Sequence, residues 1–205
     1  DINNSQIDLT VCALNSTFSE VWWFYPSASS NENDRYVVFN YVENTWAVGT
    51  LTRTAWQDRG LFNAPIAAST DGYLYNHETG QNDGSTNPPS AITSYIESSQ
   101  ISIGSGDDFV FLTKLIPDLT FENSISTAPT VDFTLQARNF PGGAYLQTDT
   151  SGVTQSATTP VEQFTEQTWI RLRGRSFAVK VESDTTDTQW RLGTPRVEIR
   201  PDGRR

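Results

Sequence analysis

Two side chains of the kinds that most often carry covalent or proton-transfer chemistry occur once each in this 205-residue sequence, Cys12 and His77. A nucleophilic thiol or hydroxyl needs a base beside it, so any such machinery would have to recruit His77. That histidine lies in the polar turn YNHETGQNDG, and no G-x-S-x-G element accompanies it. Cys12, between Val11 and Ala13, reads as a buried strand thiol; alone it forms no internal disulfide and joins no zinc-binding cluster. Paired carboxylates are the other route to acid/base work. Glu43, Asp58, Asp71, Glu97, Asp107 and Asp108 are available, but most stand in turns, where acids bond to local backbone, and no spacing pairs any two. DGYLYNHETGQNDG is rich in oxygen ligands yet lacks the D-x-[DN]-x-[DN]-G spacing of a calcium loop. The glycine-bearing SGDD and PGGAY follow no strand-to-helix pattern that could cradle a phosphate. The expectation is a structural or binding part rather than an enzyme, with no catalytic, cofactor or metal residue.

The elements that would position any site are strands throughout. VWWFYPS is an aromatic, β-branched run ended by Pro26. RYVVFNY alternates Tyr36, Val38 and Asn40 against Val37, Phe39 and Tyr41, and WAVGTL follows after the turn VENT. Three strands joined by short turns make an antiparallel meander, most of one propeller blade or one sheet of a sandwich. Nearly continuous apolar strands mark a sheet covered on both faces. Trp22, Trp23, Phe24, Tyr25, Tyr36, Phe39 and Trp46 are therefore expected to be packing. AITSYIESSQISIG and DDFVFLTKLIPDLTF read as two long strands around GSGDD. ENSISTAP reads as a hinge, after which TVDFTLQARNF alternates cleanly, PGGAY turns, and a Thr/Ser-rich tract follows as an exposed loop or edge. TWIRLRGRSFAVKVESD alternates again, with a break at Gly174. The predicted fold is all-β: partial propeller blades as antiparallel meanders over 1–121, then a small β-sandwich over 122–205.

Charge divides the chain. Residues 1–167 hold five basic and nineteen acidic side chains, whereas 168–205 hold nine basic and five acidic. An acidic body repels phosphate, which disfavours nucleic-acid binding by the bulk of the protein, while the basic end suits an acidic neighbour such as another copy. No run of eighteen apolar residues is present, so no membrane-spanning helix is expected. The sequence contains no Met and opens in mid-pattern, and is expected to be part of a longer product.

EVWWFYPSASSNENDRYVVFNYVENTWAVGTLTRTAW with DRG after it, SYIESSQISIGSGDDFVFLTKLIPD, and the ending QTWIRLRGRSFAVKVESD with TQWRLGTPRVEIRPDGRR occur in that order. Together they resemble a family of short-tailed bacteriophage tail hub or nozzle proteins, also labelled packaged-DNA stabilisation proteins. The resemblance implies a β-propeller with an extra β domain, repeated in a ring, six-fold by family expectation, below the portal and adaptor. Such a ring would extend the tail tube in the virion, after assembly in the host cytoplasm. It would contact head-completion and other tail proteins, and help to retain genomic DNA that passes through an acidic lumen. Within that reading Arg171, Arg173, Arg175, Arg191, Arg196 and Arg200 are the first candidates for contacts between subunits. Family members are longer than this chain, and a full propeller does not fit before residue 122.

Two other readings separate from this one by simple features. A carbohydrate- or receptor-binding β module requires a patch of exposed aromatics, expected at Trp56, Tyr73 and Tyr75. A hydrolase on a propeller scaffold requires two convergent carboxylates near the propeller axis.

Overall fold

Aromatic and β-branched residues fit a pleated surface and resist a helix, and the run Glu20–Tyr25 is accordingly a strand. The computed structural model describes residues 1–140 and 155–203. The expected PGGAY turn and the first part of the tract after it lie outside these residues. Among the described residues the protein is nearly all β, with several antiparallel sheets, none of them closed. It divides into two compact units, Asp1–Gly80 and Gln81–Arg205.

The first unit starts with a 3₁₀ turn, Asn4–Leu9, whose N-cap Asn3 accepts a hydrogen bond from the Ser5 amide. A four-stranded meander follows: β1 (Val11–Asn15), β2 (Glu20–Tyr25), β3 (Arg35–Asn40) and β4 (Thr45–Thr50), paired in that order. The connection from β2 to β3 is closed by Asp34, which accepts from the Ser27 amide and hydroxyl at 2.7 and 2.8 Å. A smaller antiparallel sheet completes the unit: β5 (Ala55–Gln57), β6 (Ile66–Ala68) and β7 (Leu74–Asn76). Buried Asn33 links the chain segments, its Nδ2 donating to the carbonyls of Leu9 at 2.8 Å and Arg53 at 3.1 Å.

The second unit begins with two short ladders' worth of edge structure, β8 (Asn82–Asp83) with β9 (Ser90–Ala91), then β10 (Ser94–Glu97) and β11 (Ile101–Ser102). Next come β12 (Val110–Ile116), β13 (Leu119–Thr120), β14 (Thr130–Arg138), β15 (Ser156–Glu162), β16 (Thr168–Gly174), β17 (Ser176–Ser183), β18 (Arg191–Leu192) and β19 (Arg196–Pro201). One sheet runs β10-β17-β14-β15 with β11 also on β17; the other runs β16-β12-β19. Val110, Leu112 and Leu115 of β12 and Ile170 and Leu172 of β16 share one core with Val131, Phe133 and Leu135 of β14 and Phe177 and Val181 of β17. The unit is thus a β-sandwich. Gly174 is its corner. A Cβ there would stand 2.8 Å from the Ala137 Cβ, so only glycine lets the chain pass from β16 in one sheet to β17 in the other.

Several expectations are corrected. The sandwich begins well before residue 122, because β10, β11 and β12 supply strands to both of its sheets; ENSISTAP is an internal connection and not a boundary. The two long strands expected around GSGDD are shorter pieces, and the second stops before Pro117, which has no amide to donate. Ser156–Glu162, in the tract expected as an exposed loop or edge, is the edge strand of its sheet, paired along its length with β14. Cys12 is exposed and not buried, since it points from β1 away from the unit's interior.

Candidate functional site

Strand alternation gives the four-stranded sheet two unlike faces. On one, Phe24 is fully buried and Trp22 stacks between Phe24 (5.8 Å) and Trp56 (6.0 Å), with the Tyr36 ring 4.6 Å from Trp22. Tyr36 lies across Gly49, where any Cβ would fall 2.4 Å from its ring. The stack continues from Trp56 to His77 at 4.6 Å, and the Trp56 indole donates to the Leu14 carbonyl at 2.8 Å. Arg53 donates from Nε to His77 Nε2 at 2.8 Å and lies 4.5 Å above the Tyr75 ring, whose hydroxyl donates to Asp71 at 2.6 Å. Burial, and then the positive charge of Arg53, lower the His77 pKa to about 4. A neutral imidazole accepting a guanidinium proton is part of the unit's packing.

Two carboxylates that spacing did not single out sit beside this stack. Desolvation raises the pKa of both Glu20 and Glu78, and Glu20 raises that of Glu78 further by like charge. Each is engaged by the sheet itself: the Trp22 indole donates to Glu20 at 2.9 Å, and Asn15 Nδ2 donates to Glu78 at 3.0 Å. The signal that could have found them is weak, since only the tertiary fold brings position 78 to position 20. Of the acids named from the sequence, Asp58 bonds the amides of Ser16 and Arg59, and Asp71 bonds the Tyr73 amide, as turn acids do.

The other face of the same sheet is apolar and open. Its cross-strand rows are Cys12–Trp23–Val37–Val48 and Leu14–Val21–Phe39–Trp46, with Tyr25–Arg35–Thr50 as a more polar row at one end. Leu14 is 56% exposed, Trp46 63% and Val48 67%. Trp46 lies tilted against Phe39 at 4.5 Å and stacks on Trp23 at 6.0 Å, so the rings form one slab. A hollow of about 370 Å³ lined by Asp1, Ile2, Thr10, Trp23, Tyr25 and Val37 continues it at one end. Trp22 and Phe24 are packing as expected, whereas Trp46 is mostly in solvent. The exposed patch that a carbohydrate- or receptor-binding module requires at Trp56, Tyr73 and Tyr75 does not form: Trp56 is half-buried in the stack and Tyr75 lies under Arg53, leaving Tyr73 well exposed, at 68%.

All six arginines proposed as contacts fall in the sandwich, and four share one surface. Arg171 and Arg173 on β16 and Arg196 and Arg200 on β19 point outward, with Phe111 and Lys114 of β12 between them. Arg173 pairs with Asp202, and Arg200 with Glu198 at 3.0 Å. Arg175 lies 4.5 Å above the Phe109 ring, and Arg191 stands 3.9 Å from Glu122. Among the described residues, no group of three or more His, Cys, Asp or Glu side chains is placed to hold a metal ion, and no helix is long and apolar enough to cross a membrane.

These surfaces define an all-β protein whose main features are two outward sheet faces, one apolar and one basic. No protein-family model matches the chain, and no curated protein matches it either.

Proposed function

We propose that this chain is a structural component of a virion, a phage tail hub or nozzle part of the kind its sequence resembles. It would be repeated in a ring below the portal and adaptor, and would extend the tube through which packaged DNA leaves. One observation carries the reading: the outward face of the β1–β4 sheet presents an apolar slab, Trp23, Phe39 and Trp46 with Val37 and Val48, bounded at one end by Arg35. Exposed apolar patches of this kind mark places where another protein surface packs. A flat sheet face is best covered by a second sheet about 10 Å away. A further propeller blade would cover it in that way, and the up-and-down order of β1 to β4 is the connectivity of a blade. An acidic chain, with net charge −10, also suits a conduit that must not hold phosphate.

Electron microscopy of intact particles with an affinity label at the C-terminus tests the reading. The label is expected on the tail, in a ring beneath the portal. A label on the capsid, or none in any particle fraction, refutes it.

A further inference from the structure

The two outer faces of the sandwich carry opposite charge. On the β16-β12-β19 sheet the outward positions are Trp169, Arg171 and Arg173, then Phe111, Lys114 and Ile116, then Arg196, Glu198 and Arg200. That is five cations against one carboxylate, with Asp202 just past the end of β19. On the β10-β17-β14-β15 sheet the outward rows include Tyr95–Glu182–Asp132–Pro160 and Glu97–Lys180–Thr134–Thr158, with Glu162 beside Thr130. That is four carboxylates against one lysine, with Arg138 at the far end of β14. Each face also offers an exposed ring, Trp169 at 72% on the basic side and Tyr95 at 60% on the acidic side.

We infer that the sandwich docks head to tail, the basic face of one copy seated on the acidic face of the next. This deepens the tail-component reading and rests on it for the ring. A face that is basic on one side of the domain and acidic on the other does not complement itself, so a two-fold dimer is disfavoured and a heterologous contact, closing to a ring or running on as a filament, is favoured. Arg171 and Arg196 are the cations of this face with most to gain. Both are exposed, and no ion pair engages either among the described residues. Glu97 and Glu162 are their exposed counterparts across the domain. A phosphate polymer fits the basic face less well, because Glu198 stands inside it between Lys114 at 3.3 Å and Arg200. Three strands about 4.8 Å apart, of seven, seven and six residues at about 3.3 Å each, give a small contact, at the low end of specific interfaces. The contact is therefore weak, and its strength depends on salt.

Sedimentation velocity on the full chain tests this. Association is expected to rise with concentration at about 0.05 M salt and to fall about tenfold or more by about 0.5 M. The pair Arg171→Glu with Arg196→Glu is expected to abolish self-association, and so is the pair Glu97→Lys with Glu162→Lys. Mixing the two variants is expected to restore it, since each then offers what the other lacks, and restoration also shows that both are folded. A single copy at low salt, association indifferent to salt or to either reversal, or no restoration on mixing overturns the inference. Retention of a DNA duplex that is lost with the arginine reversal also overturns it, in favour of a phosphate surface. Particles whose tails still carry the charge-reversed chain would refute the docking but leave the tail-component reading standing. Restoration on mixing with no label in tails would do the reverse.

Discussion

The sheet of the first unit and the sandwich of the second solve the same problem differently. Every β-sheet with an apolar face must bury that face against something. The sandwich does so internally: Val131, Phe133, Leu135 and Ala137 of β14 are at most 1% exposed because the β16-β12-β19 sheet covers them. Its outer faces are left polar and charged. The β1–β4 sheet covers only one side from within its unit, with Trp56 and His77, and leaves Trp23, Phe39 and Trp46 on the other. Residue content therefore does not separate a closed core from an open sheet face. Both regions are rich in rings and branched chains, and only the pairing of faces tells which set is closed.

The largest effect is expected in the closed core. Phe133→Ala, at a site with no solvent exposure, is expected to cost about 3–5 kcal/mol through lost transfer energy and a residual cavity. Denaturant unfolding followed by far-ultraviolet circular dichroism measures it. A cost near that of a surface change would mean that the two sheets are not packed as described. Next in size is Asn33→Ala in the first unit. Two backbone carbonyls, of Leu9 and Arg53, would lose their donor, for about 1–3 kcal/mol. The same titration reads it, and a smaller effect would show that water replaces the amide.

How much of this was legible beforehand follows the physics of each region. The alternation of Val131, Phe133 and Leu135 against Asp132, Thr134 and Gln136 announced β14, because period-2 patterning survives wherever one face is buried and the other wet. The aromatic strands announced themselves by residue type, but their continuous apolar text hid which face was covered. For that reason the sequence puts Cys12 inside when it lies outside, and Trp46 in the packing when it is mostly in solvent. The division at Gly80 was masked by strand exchange. β12 belongs to the sandwich through residues 168–174 and 196–201, and no local pattern reports a partner so far along the chain. The arginines were visible as a basic end, but four of them lie on one face because β16 and β19 flank the same strand. The acidic face opposite needed the register of β10, β14 and β17.

His77 sets the two units apart in their response to pH, since the first unit alone holds a histidine. Its pKa is lowered from 6.5 to about 4 by burial and by Arg53. The unfolded chain therefore binds a proton that the folded unit refuses between those values, so this group's contribution is complete above about pH 6.5 and is lost as pH falls toward 4. Glu20 and Glu78, with raised values, act in the opposite sense: their contribution is present at low pH and lost as pH rises through their folded values. Subtracting the pH profile of His77→Gln from that of the parent chain isolates the histidine, and the difference is expected to narrow from pH 6.5 to 4. An imidazole that titrates by nuclear magnetic resonance near 6.5 would show that the stack with Trp56 and Arg53 opens in solution.

The smallest effect is expected where the apolar surface is largest. Val48→Lys stands at a position 67% exposed, and a lysine stem can lie along the neighbouring rings with its ammonium in water. In the separate chain the change is expected within about 0.5 kcal/mol of neutral. Trp46→Ser uncovers Phe39 and loses a ring contact at 4.5 Å, which adds about 1 kcal/mol. If either substitution instead costs as much as a core deletion, about 3 kcal/mol or more, the slab is already covered in solution. The two sheets would then be alike, and the contrast between a closed core and an open sheet face would fail. If both are mild in the separate chain but each lowers incorporation into particles, the open face is where the rest of the structure packs. Stability and incorporation are therefore measured on the same variants, because a buried core residue lowers both, whereas an assembly residue lowers only the second.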